Sequence, residues 1–379
     1  MNRRQLVLNL SLAGAMAPLA ACGQASGGAA PQVTAAAGTG ASPTQQAADK
    51  LAAAQKEGKV LVYSTTDSAS AKPLLDDFKA AFPGVSVEYN DLNSTELYNK
   101  FTAESAAGAE TADFLWSSAM DLQVKLVADG LALTYASPEV AKLPDGAVWQ
   151  NQAYGTTLEP FSVVYNKRAL PPEGMPQNHA DFAKLLKDKT DALKAKVTAY
   201  DPEKSGTGYL AMTEDVRYFP QFWDIADGLG KNNVQLQTST GTMIEKVASG
   251  ENVLGYDIIG SYVLAKTKQD PNVGLLNLKD FTVAFSRVAF IAKASKRPNA
   301  AKLFLDYLLS KRGQDTMAQK ALLFAIRSDA EGEATPAALA KDVNNNLKRV
   351  AVGPSLQDNL DPGKRLDFFQ KWNKALGRS

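Results

Sequence analysis

The sequence predicts an α/β protein of two lobes, each a mostly parallel sheet flanked by helices, joined by two crossover strands that act as a hinge. Two observations lead to this prediction. Short β-branched runs alternate with helical patterns, which is the rhythm of a parallel sheet covered on both faces. Two longer β-rich runs, residues 161–165 and 281–293, each join one such block to the next block of the chain. We expect both runs to cross between the lobes.

Each further element is predicted from its local pattern. The first block has predicted strands at residues 59–63, 85–89 and 113–116 and helices at 74–82, 97–106 and 121–127. After the first crossover, the patterns predict helices at 179–193, 219–229 and 242–248 and strands at 197–200 and 252–258. Helices at 300–309 and 364–376 come after the second crossover. These elements assign residues 58–158 with 283–328 to the first lobe and 159–282 with 329–379 to the second.

The N-terminus has the pattern of a targeting segment. In residues 1–22, two arginines precede an apolar stretch that ends in Leu-Ala-Ala-Cys22. This ending resembles a bacterial lipobox, which predicts a lipidated Cys22 and a periplasmic or extracytoplasmic protein anchored to the membrane. The alternative is an ordinary secretory signal with a stray cysteine. Residues 23–57 are predicted to form a flexible tether and a first short helix.

Composition narrows the classes of function. The 379 residues include 41 Lys and Arg against 40 Asp and Glu, so there is no basic field to hold a nucleic acid. Cys22 is the single cysteine and His179 the single histidine, which excludes an internal disulfide and a site rich in Cys or His for a metal. We expect no cofactor and no resident metal.

The polar loops after predicted strands are the candidate ligand site. In open parallel sheets, ligands bind beyond the carboxyl ends of the strands, where helix N-termini present free amides. Residues 201–208, DPEKSGTG, suit a phosphate, phosphonate or carboxylate, although Ser205 or Thr207 capping a helix explains the same pattern. Arg287, within the second crossover run, needs either a surface position or an anionic partner. The candidate residues are Ser64, Thr65, Thr66, Asp67, Ser117, Ser118, Glu159, Lys204, Ser205, Gly206, Thr207, Gly208, Thr240, Tyr256, Ser261, Tyr262 and Arg287.

Motifs typical of hydrolases and nucleotide-binding enzymes are absent from the sequence. It contains no G-x-S-x-G, no G-x-x-x-x-G-K-[ST] and no H-E-x-x-H. His179 has no evident partner for a catalytic triad. We therefore expect a binding protein rather than an enzyme, with a secreted phosphate-ester hydrolase as the least favoured alternative.

Four segments together resemble a known family. They are KVLVYSTTDSASAKPLLDDF from residue 59, ADFLWSSAMDLQVKLVADG from residue 112, residues 154–167 and residues 201–209. They are similar to the periplasmic solute-binding proteins of ABC transporters, in particular the branch of ferric-ion-binding proteins, over nearly all of the chain from residue 59. The resemblance implies a type II periplasmic binding fold that closes on a small ligand and delivers it to a membrane permease. We expect a monomer.

The resemblance also bears on the ligand. Iron-binding members hold the metal with a His, a Glu and two adjacent tyrosines, and the corresponding positions here are Asp67, Ser118 and the pair Ser261-Tyr262. Serine is a poor ligand for a hard, highly charged cation. Other members with a Ser-Gly-Thr-Gly type of loop take up phosphorylated or phosphonate-bearing compounds. We expect a small anionic solute, an organophosphate or phosphonate; the alternative is ferric ion with an exogenous anion, held by Tyr262, Tyr256 and Asp67.

Overall fold

The computed structural model describes residues 43–378 of the chain. The predicted signal peptide, the lipidated Cys22 and residues 23–42 of the tether lie outside the described residues. Between residues 43 and 378, no helix combines the length and the apolar character needed to cross a membrane.

The described residues form α-helices and strands in alternation. The strands are β1 (Lys59–Ser64), β2 (Ser86–Asp91), β3 (Phe114–Ser117), β4 (Val148–Trp149), β5 (Ala153–Gly155), β6 (Glu159–Asn166), β7 (Val197–Tyr200), β8 (Gln235–Gln237), β9 (Leu254–Ile259), β10 (Val273–Leu276), β11 (Thr282–Phe285), β12 (Val288–Ile291) and β13 (Leu347–Arg349). The α-helices are α1 (Pro43–Glu57), α2 (Ser68–Ala81), α3 (Ser94–Ala106), α4 (Met120–Ala128), α5 (His179–Asp188), α6 (Thr190–Leu193), α7 (Gly206–Tyr218), α8 (Phe222–Lys231), α9 (Thr240–Ser249), α10 (Gly260–Thr267), α11 (Pro298–Leu309), α12 (Lys311–Thr316), α13 (Pro336–Asp342) and α14 (Pro362–Ala375). Short 3₁₀ turns lie at Val140–Lys142, Pro172–Gly174 and Pro354–Leu360, and a π-helical turn lies at Met317–Ala321.

Two sheets form the framework, and each is the centre of one lobe. The first has the order β2-β1-β3-β12-β5-β4, and the second has the order β13-β11-β6-β9-β7-β8 with β10 also paired to β6. Strand β1 is parallel to β2 and β3, and β7 is parallel to β8 and β9, as the βα rhythm predicts. Strands β6 and β12 pair antiparallel with their neighbours, so both sheets are mixed.

Strand β6 does not alternate between apolar and polar residues along its length. All eight of its residues are buried, because β6 pairs along both edges and both of its faces are covered. A strand in that position carries mainly apolar side chains, and here Phe161, Val163, Val164 and Tyr165 flank Ser162. The first run, residues 161–165, is thus a buried strand as predicted, and it lies wholly within the second sheet.

The chain crosses between the sheets at two places, one just before the first predicted crossover run and one within the second. It leaves the first sheet at the end of β5 and enters the second at Glu159, then returns from Phe285 in β11 to Val288 in β12. The second run is thus two short strands rather than one, because the backbone turns at Ser286 and Arg287 to pass from one sheet to the other. The change of sheet after residue 285 falls slightly beyond the expected boundary at 282/283, and the lobe boundaries stay a prediction.

The C-terminal segment contacts both lobes. Strand β13 pairs with β11 in the second sheet, whereas the N–H of Val352 donates to the carbonyl of Gly146 in the first lobe. The turn Pro354–Leu360 packs against α4, and α14 then packs against α8 with Trp372 fully buried. This segment therefore connects the lobes in addition to the two crossovers.

Candidate functional site

A polar cavity of about 170 Å³ lies between the two lobes. Its walls come from loops at the carboxyl ends of strands and from the N-termini of the helices that come next. The first lobe contributes Thr65, Asp67, Asp91, Leu92, Asn93, Ser94, Glu96 and Ser118, and the second contributes Tyr200, Ser205, Thr207, Thr238, Ser239, Thr240, Ile259 and Tyr262. The strand-end rule used on the sequence thus leads to this cavity.

Direct hydrogen bonds close the lobes around the cavity. The hydroxyl oxygens of Ser118 and Thr207 lie 2.7 Å apart, and the N–H of Asp67 donates to the Tyr262 hydroxyl at 2.9 Å. Beside the cavity, the N–H of Gly206 donates to the Ser94 hydroxyl at 3.0 Å. Each of these contacts joins one lobe to the other, so the structure represents the closed arrangement.

Glycine at the start of α7 permits this close approach. A Cβ atom on Gly206 would lie 2.8 Å from Cδ1 of Leu122 in the first lobe, and one on Gly208 would lie 2.3 Å from Cβ of Tyr200. A larger residue at either position would force the helix away from its neighbours. The two glycines of the DPEKSGTG loop therefore serve packing rather than direct ligand contact.

Two helix N-termini from the second lobe point into the cavity. The Ser205 hydroxyl accepts from the N–H of Gly208 at the start of α7, and the Ser239 hydroxyl accepts from the N–H of Thr242 at the start of α9. Within residues 43–378, the N–H groups of Thr207 and Thr240 find no acceptor. Unpaired first-turn amides and the positive ends of two helix dipoles favour an anionic group at this wall.

The opposite wall is acidic. Asp67, Asp91 and Glu96 line the cavity, and its lining includes no Lys, Arg or His among the described residues. Burial raises the pKa of Asp67, and the nearby Asp91 carboxylate raises it further. No described residue donates a hydrogen bond to the Asp67 side chain. This wall is suited to a ligand group that donates hydrogen bonds.

A buried ion pair lies beneath the cavity and joins the two crossovers. Nε of Arg287 donates to Oε1 of Glu159 at 3.1 Å, and neither side chain is exposed. Nη1 of Arg287 donates to the Thr66 hydroxyl at 3.1 Å, and the guanidinium lies 5.1 Å from the centre of the Tyr262 ring. Arg287 thus contacts both crossovers, a cavity loop of the first lobe and a cavity residue of the second. Its anionic partner is Glu159.

The structure places the sequence candidates in three groups. Those that line the cavity are Thr65, Asp67, Ser118, Ser205, Thr207, Thr240 and Tyr262. Those buried next to it are Thr66, Glu159, Gly206, Gly208, Arg287 and Ser261, which lies beside Glu159. Ser64 and Ser117 are also buried, and their hydroxyls accept from the N–H groups of Thr66 and Ala119.

Two candidates lie away from the cavity. The Lys204 side chain is 73% exposed, with Nζ 3.4 Å from Asp201, because the loop directs it to solvent. Tyr256 is buried in the second lobe and its hydroxyl donates to Asp215. The Tyr256 side chain therefore faces α7, which carries Asp215, and not the cavity between the lobes.

Sequence reasoning missed several cavity residues. Asp91, at the end of β2, and Glu96, in the first turn of α3, are the most important of these because they set the charge of one wall. Asp91 obeys the same strand-end rule that selected the other loops, so that rule applied to every strand would have found it. Glu96 fits the ordinary pattern of a helix start, and nothing in that pattern marks it as a cavity residue.

Known proteins resemble this chain in sequence and in fold. The model of the bacterial extracellular solute-binding protein family matches residues 73–345. The phosphoglycerate transport regulatory protein PgtC of Salmonella typhimurium is 26% identical over 268 residues, which is 70% of this chain and 65% of PgtC. The chain spans 46% and 65% of the length of the curated relatives it matches.

Solved structures show the same architecture. The substrate-binding protein of an ABC transporter from Agrobacterium tumefaciens has 35% identity and a TM-score of 0.80, over 84% of this chain and 94% of that one. AfuA from Actinobacillus pleuropneumoniae, solved with fructose-6-phosphate bound, has 21% identity and a TM-score of 0.71, over 85% and 100% of the two chains. These matches confirm the resemblance and the two-lobed fold expected from the sequence.

The ion pair leads to a first prediction. Arg287→Met leaves Glu159 buried without its partner, so we expect the free energy of unfolding to fall by roughly 3–5 kcal/mol. The double variant Arg287→Met/Glu159→Gln removes both charges and should recover part of that loss. Urea unfolding measures both effects, with Lys72→Met on the exposed face of α2 as a control that changes little. A loss in the double variant equal to the sum of the losses in Arg287→Met and Glu159→Gln alone would contradict the coupling.

Proposed function

The chain belongs to the family of bacterial extracellular solute-binding proteins, and from this premise we propose that it is the substrate-binding component of an ABC importer. It captures a small anionic solute, an organophosphate or phosphonate, in the cavity between its lobes. It then delivers the solute to a membrane permease. Binding proceeds without turnover, so the protein is not an enzyme.

One observation carries this proposal. The N-termini of α7 and α9 converge on the closed cavity, and the N–H groups of Thr207 and Thr240 are free to donate there. The hydroxyls of Thr65 and Ser118 line the cavity from the first lobe, where they hydrogen-bond to each other and, through Ser118, to Thr207. Amides and hydroxyls around helix N-termini suit a phosphate or phosphonate group without requiring a lysine or arginine in direct contact.

The acidic wall restricts the rest of the solute. A plain anion next to Asp67, Asp91 and Glu96 meets only repulsion, whereas hydroxyl or ammonium groups donate hydrogen bonds to these carboxylates. We therefore expect a two-ended solute. Its anionic end faces the helix N-termini, and its donor-rich end faces the first lobe.

The names of two relatives support a phosphorylated solute. PgtC is named for phosphoglycerate transport, and the AfuA structure holds fructose-6-phosphate. Both compounds combine a phosphate with hydroxyl groups, which is the combination that the two walls favour.

The ferric alternative has less support. It requires Tyr256 and Tyr262 as ligands together with Asp67, but Tyr256 lies outside the cavity and donates its hydrogen to Asp215. Burial raises the pKa of Tyr262 to about 12, which disfavours the phenolate that binds iron. Of the two tyrosines that this alternative names, Tyr262 lines the cavity and Tyr256 does not.

Closure depends on the two crossovers. The segments between β5 and β6 and between β11 and β12 are short, and rotation about them separates the cavity walls without disturbing either sheet. A solute that contacts both walls stabilises the closed form by the difference in its affinity for the two forms. The lipid anchor at Cys22, cleavage of the signal peptide just before Cys22 and a monomeric state belong to the same proposal.

The start of α7 gives a second prediction. Thr207→Val keeps the side-chain shape but removes the cavity hydroxyl, which bonds the Ser118 hydroxyl across the two lobes, so we expect about 10- to 100-fold weaker binding of a phosphorylated solute. Calorimetric titration with glycerol 3-phosphate, a sugar phosphate and an aminoalkylphosphonate identifies the solute and measures the change. Thr213→Val, on the same helix with its hydroxyl bonded to the Tyr209 carbonyl outside the cavity, is the matched control. The proposed contact is wrong if the two variants bind equally well.

The acidic wall gives a third prediction. Wild-type protein should bind an aminoalkylphosphonate or a hydroxyalkyl phosphate more tightly than an alkylphosphonate of the same length. Asp67→Asn removes the charge but keeps the shape, so the preference should fall roughly 10-fold for the ammonium compound. Competition titrations on both proteins measure this ratio. An unchanged ratio in Asp67→Asn would show that Asp67 does not contact the solute.

A further inference from the structure

A second group of titratable side chains lies in the second lobe, away from the cavity between the lobes. Asp215 of α7, Tyr256 and Asp257 of β9 and His179 of α5 are each at most 5% exposed. They surround a small cavity of about 10 Å³, large enough for about one water molecule. The proposed solute-binding mechanism uses none of these four groups.

The contacts within this group are specific. The Tyr256 hydroxyl donates to Oδ2 of Asp215, and Nε2 of His179 lies 3.9 Å from Oδ1 of Asp215. Nδ1 of His179 lies 2.9 Å from Oδ1 of Asp280, and its ring stacks on Phe281 with 3.9 Å between the ring centres. The two ring nitrogens of His179 thus face the carboxyl groups of Asp280 and Asp215, and the ring itself packs on Phe281.

Asp257 is the exceptional member. Its backbone has φ 56°, in the left-handed region that side chains other than Gly, Asn and Asp seldom adopt. Its Oδ2 atom is buried, and no described residue donates to it. Asp257 lines the same small cavity as Asp215, and burial together with this neighbour raises the pKa of Asp257 well above its ordinary value.

Two carboxyl groups that line one buried cavity of about 10 Å³ cannot both ionise, because each negative charge opposes the other. The Tyr256 hydroxyl stabilises a charge on Asp215, which leaves the unpaired oxygen of Asp257 as the place for a proton. A protonated Asp257 also avoids an uncompensated buried charge.

We propose that Asp215 and Asp257 hold one proton between them and that loss of this proton loosens the second lobe, which makes the protein sensitive to pH. The two carboxyl groups lie on elements that lead to the solute cavity. Helix α7, which carries Asp215, begins at the cavity with Thr207, and β9, which carries Asp257, leads directly into α10 and Tyr262. The bound proton therefore fixes two elements that build one wall of the solute cavity.

The other charged groups that face the pair do not replace the proton. His179 and Asp280 pair with each other, and Glu214 lies next to Arg217, with the two side chains 3.5 Å apart. From the crossover strands β6 and β11, the small cavity receives polar groups that do not titrate, Ser162 and Thr282. Of the two carboxyl groups in the pair, His179 approaches that of Asp215, with Nε2 3.9 Å from Oδ1.

The sign of the pH effect is set by linkage. A carboxyl group that keeps its proton in the folded state contributes its full stability below its ordinary pKa of about 4. That contribution is lost as the pH rises towards the higher pKa of the folded state. Asp257→Asn carries no proton to lose, and Asn tolerates the left-handed backbone, so its stability should lack this decline.

The test is the melting temperature of the full chain between about pH 5 and about pH 8. We expect the difference between Asp257→Asn and wild type to grow in favour of the variant by about 2 °C per pH unit. Asp215→Asn should behave in the same way, and it serves as the second variant if Asp257→Asn folds poorly. Asp188→Asn, on the exposed end of α5, should give a difference that does not change with pH.

Two results would overturn the proposal. One is a difference between Asp257→Asn and wild type that stays constant with pH, as it would if Asp257 were ionised throughout. The other is a pH-dependent difference of the same size in Asp188→Asn, which would assign the effect to overall charge. Neither measurement requires a bound solute, so the result is independent of the proposed transport function.

Discussion

The ion pair between Arg287 and Glu159 is the contact on which the arrangement of the lobes depends. Each partner lies on a different crossover, and both are fully buried, so neither tolerates the loss of the other. The same guanidinium contacts Thr66 in one lobe and the Tyr262 ring in the other. The hinge and the cavity therefore share one charged group, and a change in the angle between the lobes must alter the surroundings of that group.

The cavity is a consequence of this arrangement. Because the crossovers bring the carboxyl ends of both sheets face to face, the helix N-termini of the second lobe meet the strand ends of the first. Donors from α7 and α9 lie on one side of the cavity of about 170 Å³, and the carboxylates of Asp67, Asp91 and Glu96 lie on the other. The site is thus polar at both ends, and its selectivity comes from placing donors against acceptors rather than from apolar area.

The sequence predicted the framework better than the site. The runs around Val163 and Phe285 are apolar enough to predict buried strands. The loops that follow predicted strands contain most of the residues that line the cavity from the second lobe. The orientation of single side chains escaped prediction, since Lys204 and Tyr256 sit in the expected segments but point elsewhere. Pairs distant in the sequence, such as Asp215 with Asp257, carry no local pattern because only the fold brings them together.

The most direct test of the account is a thermal-shift screen of the protein against phosphate, sugar phosphates, aminoalkylphosphonates, dicarboxylates and ferric citrate. A ligand that binds only the folded protein raises its melting temperature. At a ligand concentration of 100 times the dissociation constant, the free energy of unfolding increases by about 2.7 kcal/mol. We predict a shift confined to phosphorylated or phosphonate compounds that also carry hydroxyl or ammonium groups. A shift with ferric citrate alone, or with dicarboxylates alone, would contradict the assignment of the cavity.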